Sequence, residues 1–329
     1  LAARITALAA ILALAGCALV DARADKREAE AIAAHPPLGR FVEVEGRRVH
    51  AVVTGEGPDL VLIHGASGNL RDMVFDLAER LSSRYRVIAF DRPGLGYSDS
   101  IDPAAGAAFG TQADSLAAQA RLLQAAAAEL GAERPVVVGH SYGGAVAMAW
   151  ALERPEDIAA LVDLSGATLP WDTGLAPLYR VNGSALGGAV AVPVLAALAP
   201  ERMIDDTLTA IFAPDPVPEG YADFVGAGLA ARRASLRINA RQVNALLDQV
   251  TRMRALYPSL DLPVEIVHGT ADTIVPAEIH SIRLARLIPG ANLTLLEGVG
   301  HMPHHAAPEA VVAAIDRAAA RAGLRHDAP

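Results

Sequence analysis

Cysteine is nearly absent: Cys17 is the only one in 329 residues. A single thiol excludes a disulfide framework, a thiolate metal site and a Cys-X-X-Cys redox pair. Lysine is as scarce. Lys26 stands alone, so the positive charge is almost all arginine. There is no basic block, and the net charge is −9, which leaves no electrostatic footprint for nucleic acid. Tandem repeats are missing, and the only compositional bias is toward alanine. What the chain does have is apolar residues, at 52%. That is enough for one large core, or for a core with a smaller inserted domain.

Cys17 closes the stretch LAARITALAAILALAGC. Arg4 is followed by an apolar segment and then by Leu14-Ala15-Gly16-Cys17. The segment is short for a membrane span, which needs about 20 residues, but it has the length of a signal-peptide core. Its last four residues resemble the bacterial lipobox, whose cysteine is lipidated and becomes the new N-terminus. The alternative is an uncleaved signal anchor. Either reading makes residues 1–20 an export and membrane-attachment segment and places the protein on the far side of the cytoplasmic membrane. Residues 21–39 are charged and Ala-rich and end in His35-Pro36-Pro37 before Leu38 and Gly39, which reads as a tether outside the fold.

From Phe41 the pattern changes. FVEVEGRRVHAVVTG alternates apolar and polar residues around Glu45-Gly46, a hairpin signal. DLVLIHG, YRVIAFDRPG, PVVVGH, ALVDLSG, VEIVHG and LTLLEG are short apolar runs with glycine or a polar residue at the end, as buried strands would be. Helical spacing lies between them, over Leu70–Leu81, from Thr111 to Gly131 with a near capping box, and from Pro308 onward. Strands alternating with helices predict a mostly parallel sheet with helices on both faces. The rhythm breaks between Ala167 and about Leu262. This part is rich in Pro, Gly and Ala and then helical around Met203–Phe212 and Asp223–Leu256, which reads as a helical insertion. The expected parts are thus a first core segment (40–166), an insertion (167–258) and a second core segment (259–329).

Gly139-His140-Ser141-Tyr142-Gly143 fits G-x-S-x-G between a β-branched run and a helix-forming run. A nucleophile on so sharp a strand-to-helix turn has a strained backbone. Side chains on its neighbours would collide with strand and helix, hence the glycines. A serine hydroxyl needs a general base, and the base needs an orienting acid, in the chain order Ser, acid, His. Asp272 follows VEIVHG and His301 follows LTLLEG, so all three fall in loops at one sheet edge. Asp163 and the pair His304, His305 are the competing choices. Asp163 lies mid-strand, and His304 and His305 lie further into the next helix, so Asp272 and His301 are favoured. Two N–H donors should meet the developing oxyanion: that of Tyr142 and that of Ala66, in the loop after LVLIHG. His64 and Asp91-Arg92-Pro93-Gly94 read as braces for these loops.

HGASGNLRDM, FDRPGLGYSDS, GHSYGG, HGTADTIVP and GVGHMPHH, in this order, resemble the α/β-hydrolase superfamily of the capped type. The resemblance covers about Phe41 to Arg321. It implies an α/β-hydrolase fold, with a mostly parallel eight-stranded sheet flanked by helices, an inserted helical cap and a Ser141-His301-Asp272 triad. Haloalkane dehalogenases and epoxide hydrolases of this superfamily carry aspartate where Ser141 stands, which argues against both. The resemblance adds no cofactor. No metal-ligand spacing is apparent either, because His304 and His305 lack a carboxylate or cysteine partner in the adjacent sequence. The expected activity is hydrolysis of a small-molecule carboxylic ester. The same triad could instead serve a thioester, amide or carbon–carbon bond, and a hydrolase-fold receptor or scaffold without catalysis is the reading of another class. Trp171, Leu175, Phe212 and Phe224 make the insertion apolar, which suits an apolar substrate or simply a cap core.

Overall fold

The computed structural model describes residues 2–200 and 202–324. Eight strands form one sheet: β1 (Arg40–Val44), β2 (Arg47–Thr54), β3 (Asp59–Ile63), β4 (Arg86–Phe90), β5 (Val136–His140), β6 (Ala160–Leu164), β7 (Val264–Gly269) and β8 (Asn292–Leu296). Their order is β1-β2-β4-β3-β5-β6-β7-β8. Only the β1–β2 and β2–β4 pairings are antiparallel. Glu45 and Gly46 turn the β1–β2 hairpin, both with positive φ, as a tight hairpin of matching twist requires.

The central strands are apolar on both sides because both faces are covered. Val61, Ile63 and Val137 belong to one core cluster, and Leu60, Leu62, Val136 and Val138 to the other. This is the period-two alternation of side chains across a pleated strand. Parallel pairing brings the C-terminal ends of β3, β5, β7 and β8 to one edge, where the loops carrying Ser141, Asp272 and His301 emerge.

Between β6 and β7 the chain builds the cap from helices Pro177–Gly183, Ala185–Leu198, Arg202–Phe212, Tyr221–Val225, Ala227–Ala230 and Arg233–Met253. The first two occupy a stretch whose Pro, Gly and Ala content suggested no helix. Ser184 starts the second by accepting a hydrogen bond from the N–H of Gly187, and the alanines then sustain it. Two other helices differ from expectation. Leu70–Leu81 breaks into Arg71–Val74 and Leu77–Ser82, with Arg71 and Asp72 turned inward and buried. The helix expected from Thr111 begins at Leu116 with Ser115 as its cap. Asp114, the would-be capping acid, instead accepts from the N–H groups of Ile101 and Asp102 at 3.2 Å each.

The largest difference lies at the N-terminus. Residues 21–39 are not a tether outside the fold. One helix runs from Ala2 to Ala34 and packs on the cap. The charges that suggested a solvated linker are partners of the cap. Arg233 reaches Asp21 at 3.1 Å and Glu28 at 2.8 Å and also pairs with Asp25. Arg23 and Arg27 donate to the carbonyls of Ala197 and Ala199 at 2.8 Å, where the C-terminus of helix Ala185–Leu198 favours a cation. Ala24 is fully buried against Ala196 and Ala197. Among the described residues no single helix is long and apolar enough to cross a membrane.

Candidate active site

Ser141 sits between β5 and helix Tyr142–Glu153 with φ 54° and ψ −119°, a strained geometry for a residue with a side chain. The glycines around it are forced by contact. A Cβ on Gly139 would lie 2.2 Å from the carbonyl oxygen of Gly143, and one on Gly143 would lie 2.3 Å from that of Ile63. The elbow is therefore packed backbone to backbone against the end of β3.

The three residues picked from the sequence meet. His301 Nε2 lies 3.0 Å from Ser141 Oγ, and His301 Nδ1 lies 2.7 Å from Asp272 Oδ2. Asp272 Oδ1 accepts from the N–H groups of Ile274 and Val275 at 2.9 Å each. Burial by itself would push the Asp272 pKa up. Hydrogen bonds from His268 and His301, the His301 charge and the Val275 N–H outweigh it and hold the carboxyl well below its usual range. The acid is thus a fixed anion facing the histidine. His304 and His305 lie elsewhere, around Asp72.

Ala66 and Tyr142 flank the serine. Gly65 approaches so closely that a Cβ on it would lie 3.2 Å from Ser141 Cβ. Among the described residues neither the Ala66 nor the Tyr142 N–H has a protein acceptor. The loop is braced on three sides. His64 Nδ1 donates to the Gly65 carbonyl at 2.8 Å, and His64 Nε2 accepts from the Arg92 N–H at 2.9 Å. Burial, followed by the Arg92 charge, lowers the His64 pKa to about 4, so its ring stays neutral in this role. Arg92 itself is buried, lies over the Tyr142 ring at 4.0 Å and donates to Gln242 of the cap at 2.6 Å. Asp91 takes the N–H groups of Leu70 and Tyr97 at 2.7 and 2.8 Å.

Four residues at the site escaped sequence reasoning. His268, near the end of β7, donates through Nε2 to the Val275 carbonyl at 2.6 Å and toward Asp272 at 3.1 Å, so it holds the acid's loop. Its signal was a histidine near the end of a buried strand, one residue past Ile266-Val267. His140 donates to the His301 carbonyl at 2.8 Å. Asp215 accepts from the Gly300 N–H at 2.7 Å, and Asn239 accepts from the Ser67 N–H at 2.8 Å. The last two come from the cap, and nothing adjacent to them in the sequence marks them. Phe212 is buried in the cap core, Trp171 and Leu175 are half-buried against the main core, Phe224 packs on Phe75, and none of the four lines the cavity between the cap and the N-terminal helix.

Asp163, the competing acid, is fully buried, and neither of its oxygens has a hydrogen-bond partner. It sits under the elbow, where a Cβ on Gly144 would lie 2.3 Å from its Oδ1. Burial pushes its pKa up from 3.8 to about 7. The folded chain therefore keeps a proton that the unfolded chain releases, and stability falls as pH rises through the window from about 4 to about 7. Asp163→Asn removes this term. The variant should melt several degrees above wild type at pH 8 and gain less at pH 5, at roughly 1.4 kcal/mol per pH unit of the window. Equal melting-point differences at the two pH values would contradict the assignment.

The chain matches the alpha/beta hydrolase family over residues 60–314 and belongs to it. It is 30% identical over 273 residues to 2-hydroxymuconate semialdehyde hydrolase of Pseudomonas putida, covering 81% of this chain and 88% of that enzyme. Among solved structures, an alpha/beta hydrolase fold protein from Burkholderia ambifaria is similar with a TM-score of 0.66 and 26% identity, over 85% of this chain and 98% of that one. A membrane phospholipase A, described as a bacterial virulence factor, is similar with a TM-score of 0.66 and 22% identity, over 99% of this chain and 100% of that one. At that identity the likeness speaks for the fold alone.

Proposed function

We infer that the protein is a serine hydrolase of carboxylic esters. The observation that carries this reading is the hydrogen-bonded series from Ser141 through His301 to Asp272, set beside two free N–H groups. His301 Nε2 takes the Ser141 proton as Oγ attacks the ester carbonyl. The Ala66 and Tyr142 N–H groups receive the oxyanion, and the positive end of helix Tyr142–Glu153 adds to them. His301 returns its proton to the leaving alkoxide, which departs as the alcohol. Water, deprotonated by His301, then attacks the acyl-serine, and the acid leaves as Ser141 regains its proton.

The substrate reading rests on a cavity of about 250 Å³ between the cap and the N-terminal helix. Ser67, one residue from Ala66, reaches its wall, whereas Ser141 does not. Leu195, Ala196, Leu208, Ile211 and Leu236 give it an apolar lining. Ser67 is thus the point at which an acyl chain bound at Ser141 would have to enter it. A second reading, carbon–carbon hydrolysis by the same triad, takes its support from the similarity to the semialdehyde hydrolase. The mostly apolar lining favours the ester reading, although Arg27, which also lines the cavity, offers a cation to the carboxylate of a hydroxymuconate semialdehyde. p-Nitrophenyl acetate, butyrate, octanoate and palmitate separate the cases. For a carboxylic ester hydrolase with this cavity, kcat/KM should rise at least about tenfold from acetate to octanoate, since each buried methylene contributes roughly 0.8 kcal/mol. Failure to hydrolyse any of the esters would refute the ester reading.

We also propose, from the lipobox-like Leu14-Ala15-Gly16-Cys17, that the protein lies outside the cytoplasm, held to the membrane through a lipidated Cys17. Cys17 is exposed on the N-terminal helix. Arg23, Ala24, Asp25, Arg27 and Glu28, which dock that helix on the cap, all follow it, so cleavage before Cys17 would leave the docking intact. Labelled palmitate fed to producing cells should enter wild type and not Cys17→Ser. Equal labelling of the two would overturn the lipoprotein reading.

A further inference from the structure

Two neighbouring histidines without an adjacent carboxylate gave no metal signal in the sequence. The fold supplies the carboxylate from 232 residues away. Asp72, in helix Arg71–Val74, points at the Nε2 atoms of both histidines in helix Pro303–Ala306. His304 Nε2 lies 3.2 and 3.3 Å from the two Asp72 oxygens, and His305 Nε2 lies 2.8 Å from Oδ1. One ligand atom from each of the three residues falls within 4.8 Å of the others. We propose that Asp72, His304 and His305 form a structural site for a divalent transition metal, zinc above all, which pins the cap and the His301 loop to the core.

The donor set suits that ion. Two imidazoles and one carboxylate are a zinc-type combination that leaves the fourth tetrahedral position to a water, and atoms sharing a tetrahedral zinc at bonds of about 2.0–2.1 Å stand about 3.3 Å apart. The site is almost closed to solvent: the side chains of His304, His305 and Asp72 are 0%, 2% and 6% exposed. Tyr221 of the cap donates to Asp72 Oδ1 at 2.8 Å, the outer hydrogen bond that orients a carboxylate ligand.

An independent observation concerns the far side of the rings. His304 Nδ1 and His140 Nδ1 are both buried without a hydrogen-bond partner, on rings whose centroids are 4.6 Å apart. His140 Nε2 donates to the His301 carbonyl, so its Nδ1 is a bare acceptor in the neutral ring. Metal on His304 Nε2 would require the proton of that ring on Nδ1, which sets a donor beside the bare His140 acceptor, on the ring that holds the His301 backbone.

The site is independent of the reaction assigned to Ser141, and its test does not use activity. The full chain, purified without a metal-affinity step, should contain about one zinc per chain by elemental mass spectrometry. A strong chelator should remove the zinc with a fall in melting temperature, and added zinc should restore it. Asp72→Asn and His305→Gln should each cut the zinc content at least about tenfold. Should those variants fail to fold, cobalt added to chelated wild type should give the visible absorption bands of a tetrahedral nitrogen–oxygen site. Wild-type protein with under about a tenth of a zinc per chain and a melting temperature indifferent to added zinc would overturn the proposal. So would undiminished zinc in folded variants, or the absence of cobalt bands.

Discussion

Asp272→Asn should lower kcat by about four orders of magnitude and leave KM nearly unchanged. The size follows from where the two carboxylate oxygens point. Oδ1 takes the N–H groups of Ile274 and Val275, so an asparagine must keep its carbonyl oxygen on that side. Its amide nitrogen then replaces Oδ2 and donates to His301 Nδ1, 2.7 Å away in the wild type. That donation forces the imidazole proton onto Nε2, the atom 3.0 Å from Ser141 Oγ. The base then presents a proton to the nucleophile when it should accept one. Steady-state kinetics of the variant on any accepted ester gives the answer. A loss under about tenfold would mean that Asp272 does not set the histidine tautomer.

Gly143→Ala is the second large effect, and it acts without touching a reacting group. The added Cβ would lie 2.3 Å from the carbonyl oxygen of Ile63 and 2.6 Å from that of His64. Both are backbone atoms at the end of β3, where the Ala66 loop begins, and neither can rotate away. Relief requires the nucleophile helix and that loop to move apart, which separates the Tyr142 N–H from the Ala66 N–H. A misplacement of about 1 Å at such a site costs about 100-fold, so kcat/KM should fall by that much or more, with about 1–3 kcal/mol of stability lost to overpacking. Gly174→Ala is the control, since nothing lies within 4 Å of its Cβ position. Activity of Gly143→Ala within twofold of the control would show that the contact between elbow and loop is not needed.

These two sites are also those the sequence announced most plainly, for a physical reason. A parallel sheet sends each strand to the same edge, so a residue just past a buried run has a known place. Ser141 and Asp272 each follow such a run, His301 follows the half-exposed edge strand β8, and Gly139 and Gly143 mark a turn with no room for a Cβ at either glycine. Residues whose partners are far along the chain carried no such mark. Asp215 and Asn239 look like ordinary cap residues until the cap closes on Gly300 and Ser67. Asp72 carries no mark within the single helix expected over Leu70–Leu81, which instead breaks in two and turns it toward His304. The acidic residues after Cys17 read as a tether because Arg233, their partner, lies more than 200 positions away. Local periodicity reports the face of a helix but not the neighbour it will meet.

Every role assigned around the elbow depends on Ser141 being the nucleophile. Treatment with a fluorophosphonate, followed by mass analysis of the digested chain, tests it most directly. The account predicts about one adduct per chain, on Ser141, with ester hydrolysis lost in step and no adduct in Ser141→Ala. A wild-type chain that takes up no adduct, or a Ser141→Ala chain labelled as well as wild type, would contradict it.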